Sequence, residues 1–144
     1  MPMIDFYVEE GALSAAALAK LPAIVSKIAL RYEGFEGSKF AAEFTWIYTH
    51  LLPKAHVVQA AGKPAKPLYR FDIYTMHGLL DQPSKIKLAS DIAQAVYELE
   101  GTRWDANEAT NRVWTLYRDM REGDWLDGEV VSNLPMLRAM AKAR

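Results

Sequence analysis

The stretch Pro67-Leu68-Tyr69-Arg70-Phe71-Asp72-Ile73-Tyr74 decides the fold, because it restates the opening Pro2-Met3-Ile4-Asp5-Phe6-Tyr7-Val8. In the opening copy Ile4, Phe6 and Val8 alternate with Met3, Asp5 and Tyr7, the period-two pattern of a strand with one face packed on apolar groups. The second copy alternates in the same way and is again headed by proline. Each strand is followed by a helical pattern. After Gly11, Ser14 is an N-cap for a helix with Leu21, Ile24, Val25, Ile28 and Tyr32 on one face, closed by Glu33-Gly34. Proline inside a helix costs about 3 kcal/mol, so Pro22 predicts a kink, or a helix starting near Pro22 behind a looser turn.

Lys85 to Gly101 carries Leu88, Ile92, Val96 and Leu99 on one face and lies over Leu18 to Gly34 without a gap. Lys20 then falls on Lys87, Leu21 on Leu88, Glu33 on Glu100 and Gly34 on Gly101. A further aromatic and β-branched strand, Phe44 to Leu51, precedes a turn and short strand over Pro53 to Gly62. Val113 to Tyr117 covers Phe44 to Tyr48, placing Tyr117 on Tyr48, and also continues into a polar turn and short strand. The chain reads as an internal duplication of one β-α-β unit.

The expected architecture is therefore α/β (α+β): a single domain over 1–144, built of units at about 2–62 and 67–131 with a tail at 132–144. Right-handed crossovers put both helices on one face of a four-stranded mixed sheet. The other face carries Met3, Asp5, Tyr7, Arg70 and Asp72, so burial against other subunits is expected, with Arg70 paired to Asp5 or Asp72. A symmetric oligomer follows. In the tail, Leu134, Met136, Leu137 and Met140 form a stripe too short for a stable lone helix, which predicts docking.

Composition narrows the function. Seventeen Lys and Arg against eighteen Asp and Glu leave a net charge of −1, without the basic patch of a nucleic-acid binder. There is no cysteine, and His50, His56 and His77 lack metal-site spacing, so neither metal nor other cofactor is expected. No apolar run approaches the ~20 residues that span a bilayer, and the start lacks a leader pattern, which predicts a cytoplasmic location.

Pro2 is the chemical candidate. Methionine aminopeptidase cleaves readily before a small residue, and removal of Met1 turns the ring nitrogen of Pro2 from an amide into a secondary amine. An α-amino group titrates at about 7.7 to 8.0, low enough after burial to exchange protons near neutrality. Trp46, Tyr74, Trp114 and Trp125 are read as walls of an apolar pocket beside it or as core.

Tandem β-α-β units behind a Met-Pro start, the opening Pro2 to Gly11, the segment Ile47-Tyr48-Thr49-His50-Leu51-Leu52-Pro53 and the run Gly123-Asp124-Trp125-Leu126-Asp127-Gly128 together resemble the tautomerase superfamily. The resemblance is nearest the cis-3-chloroacrylic acid dehalogenase group. It implies a cofactor-free trimer acting on a small carboxylic acid, with Pro2 shuttling protons as keto and enol forms interconvert. Tyr117 and Asp127 are the implied water-activating pair of a hydratase or dehalogenase. Arg31, Arg70, Arg118, His56 and Trp114 are the candidates for holding substrate. Positions where relatives carry arginine or histidine hold Ala12, Ala29, Thr45, Asp81 and Ser84 here. That departure leaves open an inactive oligomeric binding protein.

Overall fold

Alternation in sequence becomes alternation in burial in β1 (Met3–Glu9), where Ile4, Phe6 and Val8 are buried and the intervening residues are partly exposed. The computed structural model describes residues 2–143. After β1 come α1 (Ala15–Glu33), α2 (Lys39–Glu43) and β2 (Trp46–Leu52), then β3 (Tyr69–Met76), α3 (Gln82–Glu100), α4 (Ala106–Arg112) and β4 (Val113–Met120). A two-stranded hairpin, β5 (Leu126–Asp127) and β6 (Val130–Val131), leads into α5 (Leu134–Lys142).

The sheet order is β2-β1-β3-β4. β2 is parallel to β1, β4 is parallel to β3, and the central β1–β3 pair is antiparallel. Each parallel pair needs a crossover, which α1 and α3 supply. Both helices bury Leu21, Val25, Leu88, Ile92 and Val96 against Ile4, Phe6, Phe71 and Ile73 of the sheet. Phe6 and Phe71, opposite each other in register, stack at 4.6 Å between ring centroids. Full burial of side chains of this size contributes about 1.5–3 kcal/mol each, so this layer dominates stability.

Helix ends follow their capping chemistry. Ser14 Oγ accepts from the Ala17 amide at 3.1 Å, and Gly34 ends α1 at φ 78°, a left-handed cap repeated by Gly101 at φ 73°. α1 runs through Pro22 as one helix rather than starting there. Buried Leu21 and Val25 on either side make packing outweigh the missing amide. α3 begins three residues before Lys85, because Asp81 caps it by accepting from the Ser84 amide at 2.9 Å and Pro83 suits a first turn.

Two expectations need correction. Pro53 to Gly62 forms no strand, only a bridge between Gln59 and Gly62. Tyr117 and Tyr48 are not equivalent. Tyr117 stands opposite Ile73 and packs on the core, whereas Tyr48 stands opposite Asp5 on the outer face and is exposed. The sequence match at the closing strands is thus out of register with the pairing, which instead sets Ile47 beside Ile4 and Val113 beside Tyr69. α2 and α4 are short helices, each capped by its preceding Ser38 or Asp105.

The tail docks on its own chain, with Leu137 buried among Leu30, Phe35, Ala41 and Met76. On the outer sheet face Arg70 takes Asp72 as its partner through two bonds of 2.8 Å, and Asp5 pairs with His50 at 2.7 Å. Trp46, Tyr48, Trp114 and Leu116 remain exposed there.

Candidate active site

Pro2 is buried at the head of β1, and its carbonyl accepts from the Trp46 amide at 3.2 Å, which fixes the start of β1 against β2. The residue after it, Met3, lines a cleft of about 680 Å³ walled by Phe44, Trp46, Tyr74, Trp125 and Asp127. Phe44 closes α2 and the other side chains come from β1, β2, β3 and the hairpin segment, so the cleft exists only once sheet and hairpin are assembled. Trp46 Nε1 donates to the Glu43 carbonyl at 3.2 Å, setting the indole against the cleft.

The hairpin is shaped by Gly128, whose φ of 66° suits the first position of a two-residue turn. Its base is closed by the Ser132 amide donating to the Trp125 carbonyl at 2.9 Å. Ser132 Oγ, itself buried, donates to Asp127 Oδ2. One oxygen of Asp127 is thereby anchored, and the carboxylate is held on the cleft wall. Arg118 lies over the ring of Tyr74, one of the wall residues, 5.7 Å from its centroid.

The remaining predicted residues are placed elsewhere. Tyr117 does not line this cleft. Its hydroxyl donates to the Lys85 carbonyl at 2.7 Å, and burial pushes the phenol above its ordinary range. Arg31 is held by Asp91 at 2.7 Å and lies over Tyr32 at 5.2 Å. Arg70 and Trp114 line a second cleft of about 570 Å³, together with Tyr7 and Arg112. Because Tyr7 is opposite Arg70 and Met3 is opposite Tyr74, the two clefts mark opposite ends of β1, about 13 Å apart at strand rise. His56 is exposed in the turn after β2, its amide donating to the Pro53 carbonyl at 3.0 Å.

The sequence pointed to Pro2, Trp46, Tyr74, Trp125 and Asp127 but not to Phe44, Met120 and Asp124, which also line the Pro2-side cleft. Nor did it mark Glu33 and Thr75 as a buried polar pair, with Thr75 Oγ1 donating to Glu33 Oε1 at 2.7 Å. The available signal was that Glu33 repeats Glu100 in the duplicated helix. Among the described residues, no group of His, Asp and Glu is placed to hold a metal, and no helix is long and apolar enough to cross a membrane.

No protein-family model matches the chain, and no curated protein matches it. Solved structures do. N1, a member of the cis-3-chloroacrylic acid dehalogenase family, superposes with a TM-score of 0.73 at 8% identity, covering 95% of this chain and 87% of that one. Pt0534 inactivated by 2-oxo-3-pentynoate gives 0.71 at 18% identity, covering 90% and 95%. Q0, a fused 4-OT wild type symmetric trimer, gives 0.69 at 19% identity, covering 99% of both chains. By strand order, crossovers and near full-length superposition, the chain has the fold of the tautomerase superfamily.

Proposed function

We propose that the protein is an amino-terminal-proline enzyme that moves a proton between carbon and oxygen of a small 2-oxo or enol carboxylic acid. The observation that carries this reading is the buried Pro2 at the head of β1, next to a largely apolar cleft with one carboxylate on its wall. After loss of Met1, the Pro2 amine removes a proton from one atom of the substrate, and the ammonium formed returns it to the other. The substrate formula is unchanged and no cofactor is required. Aromatic walls reduce water access and strengthen charge interactions inside the cleft. Arg118, over the Tyr74 ring that walls the cleft, is the candidate for a substrate carboxylate. A homotrimer, arranged as in the symmetric trimer of the fused 4-OT neighbour, would cover the exposed Trp46, Tyr48, Trp114 and Leu116 of the outer sheet face.

Asp127 supports a second reading on the same site, addition of water to an unsaturated acid. There Asp127 takes a proton from water as its oxygen bonds one carbon, and protonated Pro2 delivers a proton to the other. Ketonisation of phenylpyruvate or 2-hydroxymuconate by wild type and Pro2→Ala tests the first reading. General acid–base groups contribute about 10²–10⁴-fold, so the variant is expected to fall by that factor, and equal rates would end the proposal. Hydration of a propiolate-type acid, lost in Asp127→Asn, would select the second. Labelling of Pro2 by 2-oxo-3-pentynoate, read by mass spectrometry, tests the amine directly.

A further inference from the structure

We infer that the second cleft, at the far end of β1 from Pro2, is a non-catalytic binding site for a small aromatic carboxylic acid, held by Arg70. This site is separate from the reaction assigned to Pro2 and does not depend on it. The two clefts are counterparts under the internal duplication. Asp5 and Asp72 stand opposite each other in the central strand pair, and a two-fold turn about that point carries β1 onto β3. It lays Met3 on Arg70 and Tyr7 on Tyr74, the same spacing that lays Lys20 on Lys87. Trp46, beside Met3 on β2, falls on Trp114, beside Arg70 on β4. The two indoles are held alike, Trp46 donating to the Glu43 carbonyl at 3.2 Å and Trp114 to the Thr110 carbonyl at 3.0 Å. The segment Val57 to Ala60, which follows β2, matches Asp124 to Asp127, which follows β4, and each lines its own cleft.

Within this shared frame the chemistry is exchanged. Tyr69 takes the place of Pro2, and its hydroxyl is committed to Glu100 at 2.6 Å. Ala60 takes the place of Asp127 and Val57 that of Asp124. Neither group of the proposed reaction is therefore present in the second cleft. In return, Met3 is replaced by an arginine. Among the described residues, the Pro2 cleft is lined by two aspartates and no arginine or lysine, whereas the second cleft is lined by two arginines and no aspartate or glutamate. A tyrosine and a tryptophan wall both. The second copy thus keeps the aromatic walls, loses the reacting groups and gains donors suited to an acid.

Arg70 is pre-oriented for this task by the partner it already has. Its Nε and Nη2 each donate to Asp72 at 2.8 Å, which occupies one edge of the guanidinium plane. The end-on edge, Nη1 with the second hydrogen of Nη2, remains a two-donor fork of the kind that matches a carboxylate. The Tyr7 ring supports the plane, 4.3 Å from centroid to guanidinium carbon, and is itself stacked on His50. Asp72 offsets the charge of Arg70, and Glu100 and Glu108 offset that of Arg112, so binding rests on the fork and on apolar contact rather than on long-range attraction. Leu52, Val58 and Leu68 supply the apolar surface, and Gln59 and Asn111 add side-chain amides. A volume of about 570 Å³ is within the range of small-molecule sites. Trp46 and Trp114 are 54% and 56% exposed, so a trimer that keeps the pseudo-symmetry of the two copies covers them alike and leaves the second cleft as open as the first.

The test is an NMR titration of ¹⁵N-labelled full-length protein with benzoate, an acid with no enolisable hydrogen, read at the tryptophan indole N–H signals. Trp114 reports on the second cleft, and Trp46 and Trp125 report on the Pro2 cleft. We expect a saturable shift of Trp114 that persists in Pro2→Ala. Arg70→Met should weaken the affinity about tenfold or more, the loss of a charge-assisted hydrogen bond. Ala60→Asp, which puts the aspartate of the other cleft at an exposed position, should weaken it comparably, and so should replacing benzoate by uncharged benzamide. No saturable shift at Trp114, shifts confined to Trp46 and Trp125, or equal benzoate affinity in wild type and Ala60→Asp would overturn the site. Equal affinity for benzamide would overturn recognition of the carboxylate. Arg70→Met leaves the nearly buried Asp72 without its cation; if that variant does not fold, as judged by circular dichroism, Ala60→Asp and benzamide decide the matter. An intact mass that includes Met1 would sink the Pro2 reading and leave these outcomes unchanged.

Discussion

The two β-α-β copies share strand order, helix length and glycine caps, yet they differ where each buried helix-end carboxylate meets its surroundings. Glu100 is satisfied by Tyr69 and Arg112 in a closed network that also reaches Glu108, 3.4 Å from Arg112. Glu33 is held by a threonine beside the head of β1. Equivalent positions thus carry carboxylates with different partners, Tyr69 and Arg112 for Glu100 and Thr75 for Glu33. The difference teaches that a duplicated fold can keep a buried helix-end carboxylate in both copies while changing the groups that satisfy it.

Removing Arg112 should break the second copy most severely. Leaving a nearly buried Glu100 without its cation costs about 3–5 kcal/mol, so Arg112→Leu should show a much lower urea midpoint, with unfolding followed by circular dichroism. A loss below about 1 kcal/mol would mean that the Glu100 network is not the structural lock. The glycine caps sharpen the comparison from the symmetric side. Gly34→Ala and Gly101→Ala each force a side chain into the left-handed region, at about 1–2 kcal/mol, and near-equal losses in thermal unfolding are expected from the two copies. The smallest effect is alkaline. Burial, reinforced by the hydrogen bond to Glu100, pushes the Tyr69 phenol above its ordinary value of 10.0. The folded state then holds a proton that the unfolded chain releases, so this contribution is full below pH ~10 and is lost as pH rises further. Tyr69→Phe should flatten the alkaline fall in stability measured by denaturant titration, and an unchanged slope would exclude Tyr69 as its source.

Much of the fold was legible because the signals were local and repeated. Ser14, Gly34 and Gly101 announced helix ends, and the strand alternation around Phe6 and Phe71 announced the central pair. Pro22 misled because local propensity is weaker than the burial of Leu21 and Val25 on either side. The Tyr117–Tyr48 match misled for a different reason: aromatic strand sequences resemble one another, and a slip of odd length moves a side chain to the other face. The site was only partly readable. Pro2 and Asp127 lie in segments with recognisable order, whereas the separation of Arg70 from Arg118 depends on which end of an antiparallel strand each reaches. The Glu33–Thr75 pair joins residues 42 positions apart, and no one-dimensional pattern encodes it.

The docking of α5 has a consequence for synthesis. Phe35, Ala41 and Met76 receive their cover from Leu137, which emerges about a hundred residues after Phe35. A nascent chain therefore carries an unsealed apolar patch through most of its elongation, though its first β-α-β unit is already long enough to form. That interval is when the patch is open to a chaperone or to a neighbouring nascent copy, and arrival of the last helix ends it.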